Sequence, residues 1–133
     1  MNIRYAEEKC FTQEQVQALF RSVGWVSGEY PSRLHKALMH SSTVITAWDG
    51  DRLVGLVRLL DDSEMVAYMH YVLVHPDYHG QGIGRELFSR FCMYMERENI
   101  QHFYVFTDTS CNYGFYENMN MFRRGTKRVK LKV

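Results

Sequence analysis

The stretch HPDYHGQGIGREL (His75–Leu87) places three glycines, Gly80, Gly82 and Gly84, within five residues, directly before a run with helical periodicity. The residues before it, MVAYMHYVLV (Met65–Val74), are apolar and rich enough in β-branched and aromatic side chains to form a strand. The unpaired N–H groups and the dipole of a helix N-terminus attract anions, and glycine lets an anion approach them closely. The sequence therefore predicts a phosphate-type ligand at this strand–loop–helix junction.

Spacing excludes two familiar phosphate-binding motifs. Counted from Gly80, both a P-loop and a GxGxxG dinucleotide fingerprint require glycine at position 85, where the chain has Arg85. Counted from Gly82, the fingerprint requires glycine at position 87, where Leu87 stands. The predicted anion therefore belongs to another class of site.

Length and composition narrow the class of protein. A chain of 133 residues suits one domain, residues 1–133, and a net charge of +1 gives no electrostatic reason to expect nucleic acid. No apolar run approaches the ~20 residues that span a bilayer, and the charged N-terminus lacks the apolar core of a signal peptide. Three cysteines without a CxxC pair argue against disulfides and a cysteine-based zinc site. We expect a cytoplasmic protein with no metal, membrane or nucleic-acid partner.

The remaining pattern predicts a mixed α/β domain. Thr12 with Gln15 forms a capping box that opens an amphipathic helix, and Pro31 suits the first turn of a second, short helix. Asp-Gly at positions 49 and 50, between two β-branched runs, predicts a hairpin. The predicted strands are Asn2–Glu8, Thr43–Trp48, Arg52–Leu60, Met65–Val74, His102–Thr107 and Thr126–Val133, with further helices after Gly84 and at about Tyr113–Asn118. Because strand–helix–strand crossovers are right-handed, strands 65–74 and 102–107 should run parallel.

The glycine stretch resembles the pyrophosphate loop of the GNAT N-acetyltransferases, [Arg/Gln]-x-x-Gly-x-Gly/Ala, in the form HGQGIG (His79–Gly84). His79 stands where the family usually has Arg or Gln, which leaves open whether this side chain contacts a phosphate. The strand end YVLVHP and the segment NYGFYENMNMF (Asn112–Phe122) are similar to the family's Val-x-Pro and FYEKxGF segments, with Asn120 in place of glycine. Together with the order of elements, the resemblance covers Asn2–Val133.

This resemblance implies a GNAT-type fold: a single α/β domain with a mixed, mainly antiparallel sheet, flanking helices and a splayed parallel strand pair, 65–74 and 102–107. Acetyl-CoA would be the co-substrate and would lie in the opening between those strands. Backbone groups of Leu73 and Val74 would pair with its pantetheine arm, an N–H near Val74 would be the oxyanion donor, and Asn112 would hydrogen-bond the arm. The residues implied to hold the pyrophosphate are His79, Gly80, Gln81, Gly82, Ile83, Gly84 and Arg85.

Acetyl transfer to an amine requires two proton movements, and the resemblance implies a residue for each. Tyr116, in FYEN, would protonate the leaving thiolate, since a phenol with a pKa of about 10 holds its proton at pH 7. His70 resembles a strand histidine of arylalkylamine-type members and is our first candidate for the base, directly or through water. The alternatives are an ordinary strand histidine at position 70 and plain helix packing for Tyr116.

Acceptor selection in this family usually involves the first two helices and the loop between them, here VGWVSGEYPS (Val23–Ser32). Trp25 and Tyr30 would wall the acceptor and Glu29 would pair with its ammonium, although both aromatic residues could equally pack the helices. The resemblance implies an acetyl-CoA-dependent N-acetyltransferase that acts on a primary amine of a small molecule or peptide by direct transfer in a ternary complex. The alternative is an acyl-CoA-binding regulatory module with little turnover. Family members often dimerise, so the resemblance also admits a homodimer.

Overall fold

The described part of the chain forms one sheet with helices on both of its faces. A computed structural model describes residues 2–100, 102–106, 121–124 and 128–131 of the 133-residue chain. The helices are α1 (Gln13–Ser22), α2 (Pro31–Met39) and α3 (Ile83–Arg97), and short 3-10 helices lie at Val26–Glu29 and Pro76–Tyr78. The strands are β1 (Arg4–Ala6), β2 (Thr43–Asp49), β3 (Arg52–Asp61), β4 (Val66–Val74), β5 (His102–Phe106), β6 (Met121–Arg124) and β7 (Arg128–Leu131).

The sheet is mixed, with the strand order β1-β2-β3-β4-β5-β7-β6. Neighbouring strands are antiparallel except β4 and β5, which run parallel with α3 as the crossover between them. The parallel pairing extends from Val66 opposite His102 to Met69 opposite Val105. Strand β4 continues to Val74, so residues 70–74 lie beyond the parallel ladder. The predicted fold class, a mainly antiparallel sheet with a splayed parallel pair, is confirmed.

Helix α1 begins at the predicted capping box. Thr12 Oγ1 accepts the N–H of Gln15 at 3.1 Å, and Gln15 Oε1 accepts the N–H of Thr12 at 2.8 Å. These reciprocal bonds satisfy donors that a helix N-terminus otherwise leaves unpaired. The helix buries Val16, Leu19 and Phe20, three of the four positions that its periodicity assigns to the apolar face, and the fourth, Val23, is its C-cap.

Two hydrophobic clusters lie on opposite faces of the sheet. On one face, α3 buries Ile83, Leu87, Phe88, Phe91 and Met95, as its sequence pattern predicts. The ring centroids of Phe91 and Phe103 of β5 lie 4.5 Å apart in an edge-to-face arrangement. On the other face, α1 and α2 cover a cluster that includes Leu56 of β3 and Leu73 of β4. The central strands therefore separate an α3 face from an α1–α2 face.

The observed boundaries differ from the sequence predictions mainly near the ends of the chain. Strand β1 is shorter than predicted because its pairing with β2 covers only Arg4–Ala6. Strand β6, Met121–Arg124, was not predicted: four residues that include two arginines give little alternation, and pairing with β7 defines the strand. The helix predicted at about Tyr113–Asn118 lies outside the described residues.

Gly55 of β3 allows α3 to pack close to the sheet. A Cβ atom at this position would lie 3.0 Å from Leu87 Cδ1 and 3.2 Å from Ile83 Cγ2. Ile83 and Leu87 belong to the first two turns of α3, so this contact fixes where the helix begins relative to β3 and β4.

Replacement of Gly55 by valine should lower the free energy of unfolding by about 1–3 kcal/mol, because three added carbons must displace Leu87 and Ile83. Gly55→Ala should cost less, since one methyl group crowds fewer atoms and also restricts the unfolded chain. Urea denaturation of both variants measures the difference. A Gly55→Val variant with the wild-type unfolding midpoint would contradict the close packing.

Candidate active site

Strand β4 carries a bulge just beyond its parallel ladder. The β3–β4 register steps from Val57 opposite Val72 to Arg58 opposite His70, which leaves Tyr71 as an extra residue. Tyr71 has a φ of 59°, a left-handed conformation that is uncommon for a bulky side chain. A bulge bends its strand and redirects the neighbouring groups, so β4 changes course where its pairing with β5 ends. The sequence contains no glycine there to signal it.

Contacts from α1 and the loop after it hold Tyr71 in this conformation. The Tyr71 ring packs edge-on against Phe20, with centroids 4.9 Å apart, and its hydroxyl shares a 2.6 Å hydrogen bond with Ser27 Oγ. The His70 ring lies 3.9 Å from the Tyr71 ring, between centroids. A left-handed backbone at such a residue costs about 1–3 kcal/mol, which these contacts offset.

The peptide groups at the end of β4 alternate between β3 and the open side of the strand, where no described strand pairs with residues 70–74. The N–H of His75 donates to the carbonyl of Val54 at 2.8 Å, so the peptide groups of His75 face β3. Alternation along the strand then directs those of Leu73 to Leu56 of β3 and those of Val74 to the open side. The peptide groups of Val72, two residues earlier, point to the same side as those of Val74. Of the two residues predicted to pair with a pantetheine arm, Val74 directs its peptide groups to the open side and Leu73 directs its peptide groups to β3.

A loop that we call the glycine loop, residues 79–84, joins this strand end to α3. Gly80 and Gly82 have φ values of 77° and 83°, and no neighbouring heavy atom lies within 4 Å of the Cβ that either would carry. Glycine is therefore favoured at these two positions by the left-handed backbone conformation and not by crowding. Gly82 is the N-cap of α3 and has no side chain to cap it, so Ile83, Gly84 and Arg85 begin the helix without a side-chain cap.

His79 ties the loop to the end of β4. Its Nε2 lies 2.8 Å from the carbonyl oxygen of Val74. Because a carbonyl oxygen only accepts, Nε2 must carry the proton in this hydrogen bond. The histidine that replaces the usual Arg or Gln therefore bonds the strand end that the loop follows.

His70 is bonded by Arg58 on the α1–α2 face of the sheet. Arg58 Nη1 donates to His70 Nδ1 at 2.9 Å; because a guanidinium has no acceptor, the neutral ring carries its proton on Nε2. Burial lowers the pKa of His70, and the Arg58 cation lowers it further. Both effects keep the ring neutral to a lower pH. Sequence reasoning missed Arg58, although a cation inside the apolar strand run LVGLVRLL was a usable signal.

Of the predicted acceptor residues, Trp25 lies beside the bulge. Its ring centroid lies 5.9 Å from that of Tyr71 and 6.0 Å from that of Phe20. Glu29 forms a surface ion pair with Arg21 at 3.2 Å, and Tyr30 is 55% exposed. No contact within the described residues brings those two side chains to the bulge. Tyr116 and Asn112 lie outside the described residues.

Other chemistry is sparse in the described part of the chain. Burial raises the pKa of the Cys92 thiol to about 11, with Glu96 adding to the effect, so this thiol is not a nucleophile at neutral pH. No group of three or more His, Cys, Asp or Glu side chains among the described residues could hold a metal ion. None of the helices in those residues is both long and apolar enough to cross a bilayer.

Comparison with known proteins identifies the family. A model of the acetyltransferase (GNAT) family matches residues 3–121. This chain belongs to the GNAT acetyltransferase family. A curated GNAT relative, the uncharacterized ycf52-like N-acetyltransferase of Prochlorococcus marinus, is 33% identical over 98 residues, which are 71% of this chain and 54% of the relative. The chain thus spans about half the length of that relative.

Solved GNAT structures share this fold. A GNAT-family acetyltransferase from Streptococcus pneumoniae is 31% identical, with a TM-score of 0.73 over 92% of this chain and 88% of its own. The PaiA N-acetyltransferase of Thermoplasma acidophilum, solved with coenzyme A, is 16% identical and matches 100% of both chains with a TM-score of 0.77. The prediction from the glycine loop and its flanking segments, membership of the GNAT family, is confirmed.

Proposed function

We propose that this GNAT protein is an N-acetyltransferase that moves an acetyl group from acetyl-CoA to a primary amine of a small molecule, by direct transfer in a ternary complex. The observation that carries the proposal is the end of β4, where the peptide groups of Val72 and Val74 face away from β3 and have no strand partner among the described residues. An extended pantetheine arm can pair with such a strand edge, as in strand addition.

The residues at this edge suit two polar parts of coenzyme A, its pyrophosphate and the amide groups of its pantetheine arm. The N–H groups at the start of α3, from Gly80 to Arg85, suit the pyrophosphate, and glycine at 80 and 82 permits the required backbone. The Val74 carbonyl accepts from His79 and retains a second lone pair for a pantetheine N–H. We assign the oxyanion donor to a β4 N–H on this open side, and a contact with the pantetheine arm to Asn112.

The proton steps use one base and one acid. The acceptor enters as an ammonium, R–NH₃⁺, and gives one proton to Nδ1 of His70, which leaves an amine with a lone pair. The nitrogen bonds to the acetyl carbon as the carbon–sulfur bond breaks, and Tyr116 protonates the departing thiolate. The second amine proton restores Tyr116, and the proton on His70 passes to solvent. The products are the amide, CoA thiol and one proton.

The acceptor would approach from the α1–α2 face, where Trp25 and Tyr71 lie together. Glu29 and Tyr30, in the same loop, are proposed to contact a longer acceptor, and a peptide amine is the second acceptor class. A homodimer and a cytoplasmic location stay predictions. The competing function is an acyl-CoA-binding module with little turnover, which the first experiment below separates from an enzyme.

Release of CoA thiol from acetyl-CoA over a panel of primary amines tests the proposed reaction. Tyr116→Phe should lower kcat by about 10²–10⁴-fold, because the thiolate then leaves without its acid. Tyr113→Phe, in the same segment, is the matched control and should keep its activity. If acetyl-CoA raises the melting temperature but no amine yields thiol, the binding-module function is correct instead.

Gly82→Ala should weaken coenzyme A binding about 5- to 30-fold, because the loop of the free variant leaves the left-handed conformation and must regain it, at ~1–2 kcal/mol, when coenzyme A binds. Gly50→Ala is the matched control: Gly50 has a φ of 61° and equally open surroundings, but lies in the β2–β3 turn. Only Gly82→Ala should lose affinity by calorimetric titration. Equal affinities in the two variants would contradict the loop assignment.

The pH profile of kcat/KM tests His70. A lowered pKa keeps His70 neutral down to below its ordinary value of about 6.5, so the acid limb of the wild-type profile should lie below that pH. In His70→Gln only the deprotonated amine reacts, so kcat/KM should keep rising toward the amine pKa of about 10.4. At pH 7 the loss should be about 10²–10⁴-fold. The exposed His40→Gln is the control, and an unchanged His70→Gln profile would refute the base.

A further inference from the structure

Arg58 is a half-buried cation whose bonded partners are neutral. Its Nε donates to Ser41 Oγ at 2.8 Å, its Nη1 donates to His70 Nδ1 at 2.9 Å, and its guanidinium lies 5.7 Å from the centre of the Tyr71 ring. Among the residues that the structure describes, no carboxylate forms an ion pair with Arg58, and none accepts from its Nη2.

The neighbouring charges in the described part of the chain do not compensate this cation. Asp61, three residues along β3, accepts the Tyr94 hydroxyl of α3 at 2.9 Å and so lies on the other face of the sheet. Asp62 accepts backbone N–H groups of its own turn. The Lys9 ammonium donates to the Ser41 carbonyl, which adds a second cation beside Arg58. Burial lowers the pKa of Arg58, as expected where a cation loses water.

An exposed apolar surface adjoins Arg58. Leu60 and Tyr68 lie opposite each other on β3 and β4, and each is 38% exposed. The ring of Tyr104 on β5 lies 6.3 Å from that of Tyr68. By strand alternation Leu60 lies on the same face as Arg58, so the half-buried guanidinium lies beside this exposed apolar surface.

We propose that Arg58 binds a carboxylate of the acceptor, which makes the substrate class an amine that carries a carboxylate and an apolar group, such as an amino acid. This rests on the proposed acetyl transfer. The second N–H of Nη1 and the N–H groups of Nη2, which have no acceptor among the described residues, form the planar fork that matches a carboxylate. Arg58 lies opposite His70, and the preceding residue of β3, Val57, lies opposite Val72, so Arg58 is one strand step, or about 3.4 Å along the strand, from the level of Val72. That spacing suits a carboxylate and an amine on one small molecule.

The same carboxylate contact would also free the Nδ1 lone pair of His70, the proposed base. Nδ1 of His70 is occupied by the Arg58 N–H, so it accepts a proton only when that N–H turns elsewhere. A carboxylate beside Nη1 draws the N–H to itself, and the acceptor ammonium can then pass one proton to the freed Nδ1. Amines without a carboxylate leave the Arg58–His70 bond intact. Recognition of the acceptor and activation of its amine thus depend on one guanidinium.

Matched pairs of an amino acid and its decarboxylated amine, such as leucine with isopentylamine and lysine with cadaverine, test this inference. Titration into the CoA-loaded protein measures binding, and thiol release from acetyl-CoA measures turnover. The wild type should bind the carboxylated member at least tenfold more tightly, or about 1.4 kcal/mol. Arg58→Gln should abolish that preference without changing affinity for the decarboxylated amine. Arg58→Lys, which keeps the charge but loses the fork, should retain part of it.

Arg97→Gln is the control, because Arg97 pairs with Glu7 and belongs to α3 on the opposite face. A preference that survives in Arg58→Gln, or a wild type that favours no carboxylated member in any pair, overturns the inference. Turnover of decarboxylated amines without such a preference would support the acetyltransferase function and refute the carboxylate subsite at Arg58. Carboxylate-dependent binding that Arg58→Gln removes, with no thiol released from any amine, would support the subsite and refute the reaction. Circular dichroism checks that both Arg58 variants fold.

Discussion

Peptide groups that lose their strand partner must find water or a ligand, and this requirement governs the end of β4. The parallel ladder with β5 stops at Met69 opposite Val105, and β4 runs on to Val74 with β3 as its only neighbour among the described strands. The bulge at Tyr71 falls at this transition, so the strand turns where its second neighbour is lost. The proposed pairing with the pantetheine arm depends on that length of strand.

The rest of the fold holds the surroundings of that strand end in place. Gly55 lets α3 pack close to β3, which sets the position of the glycine loop, and His79 bonds the loop back to Val74. On the other face, Arg58 bridges Ser41 at the end of α2 to His70 on β4. Different contacts therefore stabilise the two faces. On the α3 face these are apolar packing and the hydrogen bond from His79 to a backbone carbonyl. On the α1–α2 face they are hydrogen bonds between polar side chains.

Much of this architecture could be predicted because local chemistry determined it. The capping box at Thr12, the periodicity of α3 and the Asp-Gly hairpin each have a sequence pattern that the structure matches. The bulge could not be predicted, since Tyr71 has none of the usual preference for a positive φ and is held there by distant residues. The bond from His79 to Val74 was missed for a related reason: motif comparison describes usual occupants and says nothing of a substitute's own partner.

The hydrogen bond between Ser27 and Tyr71 has a consequence for redesign. It fastens the loop that precedes α2 to the residue that shapes the bulge, so the loop and the strand cannot be exchanged as independent modules. A loop transplanted from a relative without a hydroxyl at position 27 would loosen the strand geometry together with the surface it was meant to alter. Grafts that keep the pair intact, or transplant both partners, avoid that coupling.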